Sequence, residues 1–142
     1  MSWFLYAFTA AILWGVHYNI VGKSLTVMSP ITVYFIPNII LIATLPLYYK
    51  TLINDYQSLM VADTSVKLST IGVMFTSIAA SILLYKAIHG SNATLASLIE
   101  ITYPIFVALF AFILFKENHM NWSVVFGGLL IMAGTALIIY NN

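Results

Sequence analysis

ATLASLIEITYPIFVALFAFILF, residues 93–115, is the stretch that decides the fold. One helical crossing of a hydrocarbon core takes roughly 20 apolar residues, and this stretch supplies them with a single charged residue, Glu100. Ser91 or Asn92 is placed to cap its start after the Gly90-Ser91 break, and Phe115 ends it. Working outward, the same pattern recurs. A helix over residues 66–88 precedes it, with Asp63, Thr64 or Ser65 available as caps. The loop Lys116-Glu117-Asn118-His119 and a helix over 122–140 follow it. Toward the amino terminus, residues 3–22 read as a helix ending at Lys23. Ser29 as N-cap and Pro30 in the first turn open another, which runs to Tyr49 and is closed by Lys50. In residues 51–65, Leu52, Tyr56, Leu59 and Met60 fall at helical spacing among Asn54, Asp55, Gln57 and Ser58. A short helix lying in the interface and a plain loop both fit that pattern.

Composition supports the same fold class. Of 142 residues, 62% are hydrophobic and 6% charged, too few polar residues to cover a soluble core. The expectation is an all-α, polytopic bundle of five transmembrane helices forming a single domain over residues 1–142. Trp3, Tyr6, Tyr48, Tyr49, Tyr85, Trp122 and Tyr140 fall near helix ends, as an aromatic belt at the membrane–water boundary would. Met1-Ser2 gives no basic n-region, so the first apolar run is expected to stay as a helix. With an inside amino terminus, Lys50, Lys67 and Lys116 fall inside and Lys23 and Lys86 outside. Three lysines against two specify orientation only weakly. Orientation by the first helix and insertion of copies both ways remain open.

Several chemistries are excluded or unsupported. The chain has no cysteine, which removes disulfides and thiolate sites. A net charge of +1 offers no basic face to nucleic acid. His89 and His119 lie in separate loops, and neither a glycine-rich phosphate loop nor a serine–histidine–acid set is present. No enzyme activity, cofactor or metal is therefore expected.

Glu100 is the anomaly. It lies eight positions past Asn92, about 12 Å into a ~30 Å core, where a carboxylate costs at least about 2.5–3.5 kcal/mol. Pro104 has no amide hydrogen for the carbonyl four residues back, which belongs to Glu100. Ser97 and Tyr103, at i−3 and i+3, share nearly the same face. The result is an oxygen-rich spot beside an expected kink, suited to a proton, a small cation or an amine. The competing reading is a protonated or lysine-paired Glu100 that serves helix packing alone.

The first helix carries Trp14, Gly15, His17, Tyr18, Asn19 and Lys23. Ala7, Ala11 and Gly15 form a small-residue stripe that admits a close helix neighbour, and Asn19 continues it. His17 reads as a hydrogen-bonded packing residue or a proton carrier. Lys23 either snorkels to headgroups or pairs with Glu100 or an anionic substrate. In the second helix, Pro37 and Pro46 are expected kinks, and Asn38 needs an interhelical partner or a cavity. Gly72, Thr76 and Ala80, and then Gly127, Gly128 and Gly134, read as packing stripes.

These residues resemble the EamA-type branch of the drug/metabolite transporter superfamily. The likeness is clearest in Leu84-Tyr85-Lys86-Ala87-Ile88, Ser91-Asn92-Ala93 and Ile101-Thr102-Tyr103-Pro104-Ile105-Phe106-Val107-Ala108. It continues in Phe115-Lys116-Glu117, with lysine where glycine is common, and in Gly127-Gly128-Leu129-Leu130-Ile131-Met132-Ala133-Gly134. Trp14-Gly15 and Lys23 match as well. The resemblance implies a ten-helix carrier built from two inverted five-helix halves, of which this chain is one half. Completion by an identical copy then requires an antiparallel, dual-topology homodimer in the cytoplasmic membrane. The small multidrug-resistance proteins are a neighbouring model, but they have four helices and a functional glutamate in the first. The implied function is secondary export of small metabolites by alternating access. Glu100 would handle the proton or cation, Tyr103 and Asn19 would be polar lining, and Trp14 a wall. Pro104 and Gly15 would supply kink and close packing, with Ser97 and Lys23 alongside. A non-transporting membrane interaction subunit and a lipid-linked intermediate flippase are the alternatives.

Overall fold

The computed structural model describes residues 2–118 and 120–141. His119, counted above among the loop histidines, lies outside them. Seven helices occupy the described residues: α1 (Ser2–Ser24), α2 (Pro30–Ala43), α3 (Leu45–Val61), α4 (Thr64–Gly90), α5 (Ala93–Glu100), α6 (Tyr103–Phe115) and α7 (Trp122–Tyr140). Four stretches are long and apolar enough to cross a membrane: Trp3–Ser24, Thr64–Gly90, Ala93–Phe115 and Trp122–Tyr140. The bent pair α2–α3 makes a fifth if counted as one span. The chain divides into two compact units, one ending at Gly90 and one beginning at Ser91.

Side-chain caps set several helix starts. The Ser29 hydroxyl accepts from the Thr32 N–H at 3.2 Å, with Pro30 in the first turn. Of the two candidates before α5, Asn92 is the cap, accepting from the Leu95 N–H at 2.8 Å. Asn121 caps α7 through the Val124 N–H at 2.9 Å. Each satisfies an orphan donor that water would otherwise have to meet. At α4 the Asp63 carbonyl takes the first helical bonds, from Val66 and Lys67.

The second helix departs from the sequence expectation. It stops at Ala43 instead of reaching Tyr49, and α3 leaves it at 82°. Pro46 breaks the helix here and does more than kink it. It has no N–H for the Ile42 carbonyl, and its ring crowds the preceding turn. Thr44 completes the break: its hydroxyl donates to Leu41 O at 2.7 Å, and its N–H closes on the Ile40 and Leu41 carbonyls. Of the two readings of residues 51–65, the helix fits: residues 51–61 are helical and belong to α3, which begins earlier, at Leu45, and has 17 residues. Pro37, by contrast, sits inside a continuous α2.

In the first unit, α4 packs on α1 and on α2, and Val21, Leu25, Val33, Tyr85 and Ile88 are buried. In the second unit α5 packs on α7, and Ala96, Ala108 and Thr135 are buried. Large apolar side chains elsewhere on α1, α6 and α7 point outward, with Phe8, Phe112 and Leu130 among them. In lipid such exposure costs nothing, because acyl chains are as apolar as the side chains. The glycine stripes are open: a Cβ on Gly15, Gly72, Gly127 or Gly134 would meet nothing within 4 Å. At Gly128 it would meet Ile105 at 3.2 Å.

α6 ends on Lys116, whose φ of 60° and ψ of 21° are left-handed. Its N–H bonds Phe112 O at 3.0 Å, and its Nζ lies 5.8 Å from the Phe112 ring centroid. Glycine has no Cβ penalty in this conformation. Lys116→Gly relieves about 1–2 kcal/mol of backbone cost against about 0.5–1 kcal/mol of cation–π attraction. The thermal unfolding midpoint in detergent is therefore expected to rise with Lys116→Gly and to fall with the β-branched Lys116→Val. A valine variant as stable as the native chain would contradict a left-handed residue at this turn.

Candidate functional site

The second unit holds Glu100 and its sequence neighbours. α5 ends at Glu100, and α6 begins at Tyr103 with Pro104 in its first turn. Between them, Ile101 and Thr102 keep right-handed backbone with flattened ψ values of −7° and −15°. The bonding tightens to three-residue spacing, with Thr102 N–H to Ile99 O at 3.2 Å and Ile105 N–H to Thr102 O at 3.1 Å. The Thr102 hydroxyl caps Ile99 O as well, at 2.8 Å. Pro104 explains the interruption, since it can offer no N–H to the Glu100 carbonyl. Glu100 is half-buried at this break, within a span of 23 residues. Ser97, also half-buried, turns its hydroxyl to Thr94 O at 2.9 Å. Tyr103 is exposed.

An apolar groove of about 380 Å³ runs between α6 and α7, floored by Gly127 and Gly128 and walled by Ile105, Ala108 and Met132. Pro104 lines it; Ser97, Glu100 and Tyr103 do not. Thr135 is buried on α7 and donates to Leu98 O of α5 at 3.2 Å. This pins α7 beside the helix that carries Glu100. No local sequence signal marked Thr135, since a lone threonine in an apolar helix usually bonds within its own turn.

In the first unit, Trp14, Gly15, Asn19 and Lys23 lie on α1 and all four are exposed. The Asn19 amide donates to Gly15 O at 2.8 Å, one turn back. Asn38, for which an interhelical partner or a cavity was expected, likewise donates to Tyr34 O of its own helix at 2.7 Å. Trp14 meets His17 edge-on, with ring centroids 5.2 Å apart, and Tyr18 at 5.4 Å.

His17 is joined to α4. Its Nε2 lies 3.0 Å from the Tyr85 hydroxyl, and Tyr85 is buried. Near the end of α4, Tyr85 was expected in the aromatic belt; it faces protein instead. Its phenol needs a partner when withdrawn from water, and His17 supplies one from 68 residues away. Tyr85 and Ile88, both buried and three apart, mark a buried face of α4 by helical phase. The histidine partner has no such local mark.

A family model described as the EamA-like transporter family matches residues 1–140. No curated protein matches the chain, and no solved structure does.

Proposed function

Because the chain belongs to the EamA-like transporter family, a membrane transporter family of the drug/metabolite transporter superfamily, we propose that it exports small metabolites across the cytoplasmic membrane. It acts as a secondary carrier by alternating access, in an antiparallel homodimer. The observation that carries this reading is Glu100, an acidic residue half-buried at a helix break inside an apolar span. Interrupted helices at membrane depth are where carriers build polar sites. An intramembrane carboxylate faces a bundle interior or a wet cavity far more often than lipid.

Within the proposed site Glu100 binds and releases the coupling proton or cation. Ser97 precedes it by three residues on α5 and Tyr103 opens α6 beyond the break, and Pro104 with Ile101 and Thr102 forms the yielding point. On α1, taken by itself, Trp14 and Asn19 offer aromatic and polar surface to a solute, Gly15 leaves room for a close neighbour, and Lys23 offers a cation to an anionic group. The open stripe from Ala7 to Gly15 suits the approach of a second copy. The three-to-two lysine balance suits insertion in both directions.

Proteoliposomes with an internal pH dye, challenged with a panel of amines, amino acids and organic acids, test the chemistry. Solute-driven proton movement is expected for the native chain and lost in Glu100→Gln, with an unchanged elution profile in detergent. Unchanged flux in that variant would reduce Glu100 to a packing residue. Topology is tested in whole cells and in inside-out membrane vesicles, with one cysteine added at either terminus. Each is expected to react with an impermeant thiol reagent from both sides. Reaction of each terminus on a single side would remove the antiparallel dimer.

A further inference from the structure

We propose that α3 is a membrane-surface helix, with its apolar face seated in the boundary between headgroups and acyl chains and its polar face turned to water. The first argument is dimensional. α2 has 14 residues and spans about 21 Å. α3 has 17 residues but leaves α2 at 82°, so it advances only about 4 Å along the direction of α2. It runs about 25 Å sideways instead. The helix that follows Thr44 therefore adds almost nothing to a crossing.

The second argument is the arrangement of residues around α3. At 100° per residue, Tyr49, Leu52, Ile53, Tyr56, Leu59 and Met60 gather within an arc of about 120°. Lys50, Asn54, Gln57 and Ser58 occupy the opposite side. Tyr49 is 64% exposed and Tyr56 59%, and Leu52, Ile53 and Met60 are uncovered too, while Leu59 turns inward and is half-buried. The first unit thus leaves most of this apolar face without a protein neighbour of its own.

The occupant follows from the tethers. α3 is joined to α2 through Thr44 alone and to α4 through Ala62 and Asp63; α4 is long and apolar enough to cross a membrane, and α2 is the apolar limb of the bent pair. A helix held crosswise at the end of a crossing lies at the bilayer surface whatever else binds. Its make-up fits that layer: tyrosines on the apolar side can sink their rings and keep their hydroxyls at headgroup level. Lys50 and the amides face water. One consequence is that α2 crosses alone. Its length, with the small advance of α3, reaches about 25 Å against a core of about 30 Å, so the bilayer thins beside it. This inference does not depend on Glu100 or on the direction of transport.

The chain has no native cysteine, so single cysteines at positions 48–60 can be spin-labelled one at a time in the full chain. The labelled chain is reconstituted into phosphatidylcholine–phosphatidylglycerol vesicles. The ratio of collisions with oxygen to collisions with a water-soluble nickel chelate is expected to oscillate with the 3.6-residue period. Its maxima should fall at 49, 52, 53, 56 and 60, and its minima at 50, 54, 57 and 58. The maxima should share one depth, about 5–10 Å below the headgroup boundary. A steady depth gradient from 48 to 60 would overturn the proposal in favour of a crossing segment. Exclusion of both probes at 52, 53 and 56 would overturn it in favour of a protein partner. Nickel access on both faces would place the helix in water and overturn it as well. Labels at 50 and 54, on the polar face, serve as folded controls for insertion.

Discussion

The structure depends on the cost of an unmet polar group inside a hydrocarbon layer. Each backbone N–H and C=O there must find a partner within the protein, so every interruption of a helix has to be supplied with substitute bonds. The chain does this with hydroxyls. Thr44 covers Leu41 O where α2 stops, Thr102 covers Ile99 O where α5 stops, and Thr135 reaches Leu98 O from the next helix. Glu100 sits among these repairs, at the one break that falls inside an otherwise continuous apolar span. A carboxylate is costly to place at that depth, and the break sets it beside backbone whose hydrogen bonding is altered.

Three prolines in similar apolar surroundings have three different outcomes. α2 passes through Pro37, turns by 82° just ahead of Pro46, and the α5–α6 span is merely interrupted before Pro104. Proline removes one bond and crowds one turn in every case. What differs is the residue two before it. Thr44 and Thr102 both fold back on the preceding turn, while the corresponding position before Pro37 is Phe35, which has no hydroxyl to do so. The two breaks then serve different ends. One releases an amphipathic segment sideways, and the other opens a span around an ionisable group.

Much of this was legible in the sequence because it is local. Ser29-Pro30 announced α2, Asn92 and Asn121 stand where caps should, and the proline four residues past Glu100 marked the interruption. The left-handed Lys116 falls where the family resemblance puts glycine, and a positive φ is the physical reason for that preference. Other features escaped because they depend on tertiary placement or on competition between neighbours. Residues 30–49 are almost continuously apolar, and that pattern hides the competing hydroxyl of Thr44. His17 and Tyr85 are 68 residues apart, and neither marks the other. Asn19 and Asn38 looked like groups in search of another helix, yet each found a carbonyl one turn back, the nearest partner for an amide on an apolar helix. Of the candidate residues, the interruption between Glu100 and Pro104 could be read from the proline, whereas the ring contacts of Trp14 could not.

The carrier reading stands on an acidic group that meets water rather than acyl chains while inside the membrane span. In a chain without native cysteine, Glu100→Cys probes that contact at a single atom. The measurement is the rate of its modification by a charged, membrane-impermeant thiosulfonate in lipid vesicles, against Leu130→Cys on the outward face of α7 as the lipid-facing reference. A wet internal chamber gives rapid modification at position 100 and almost none at 130. Equal inertness at the two positions would put the carboxylate's place in lipid or dry protein, and the proposed mechanism would lose its foundation.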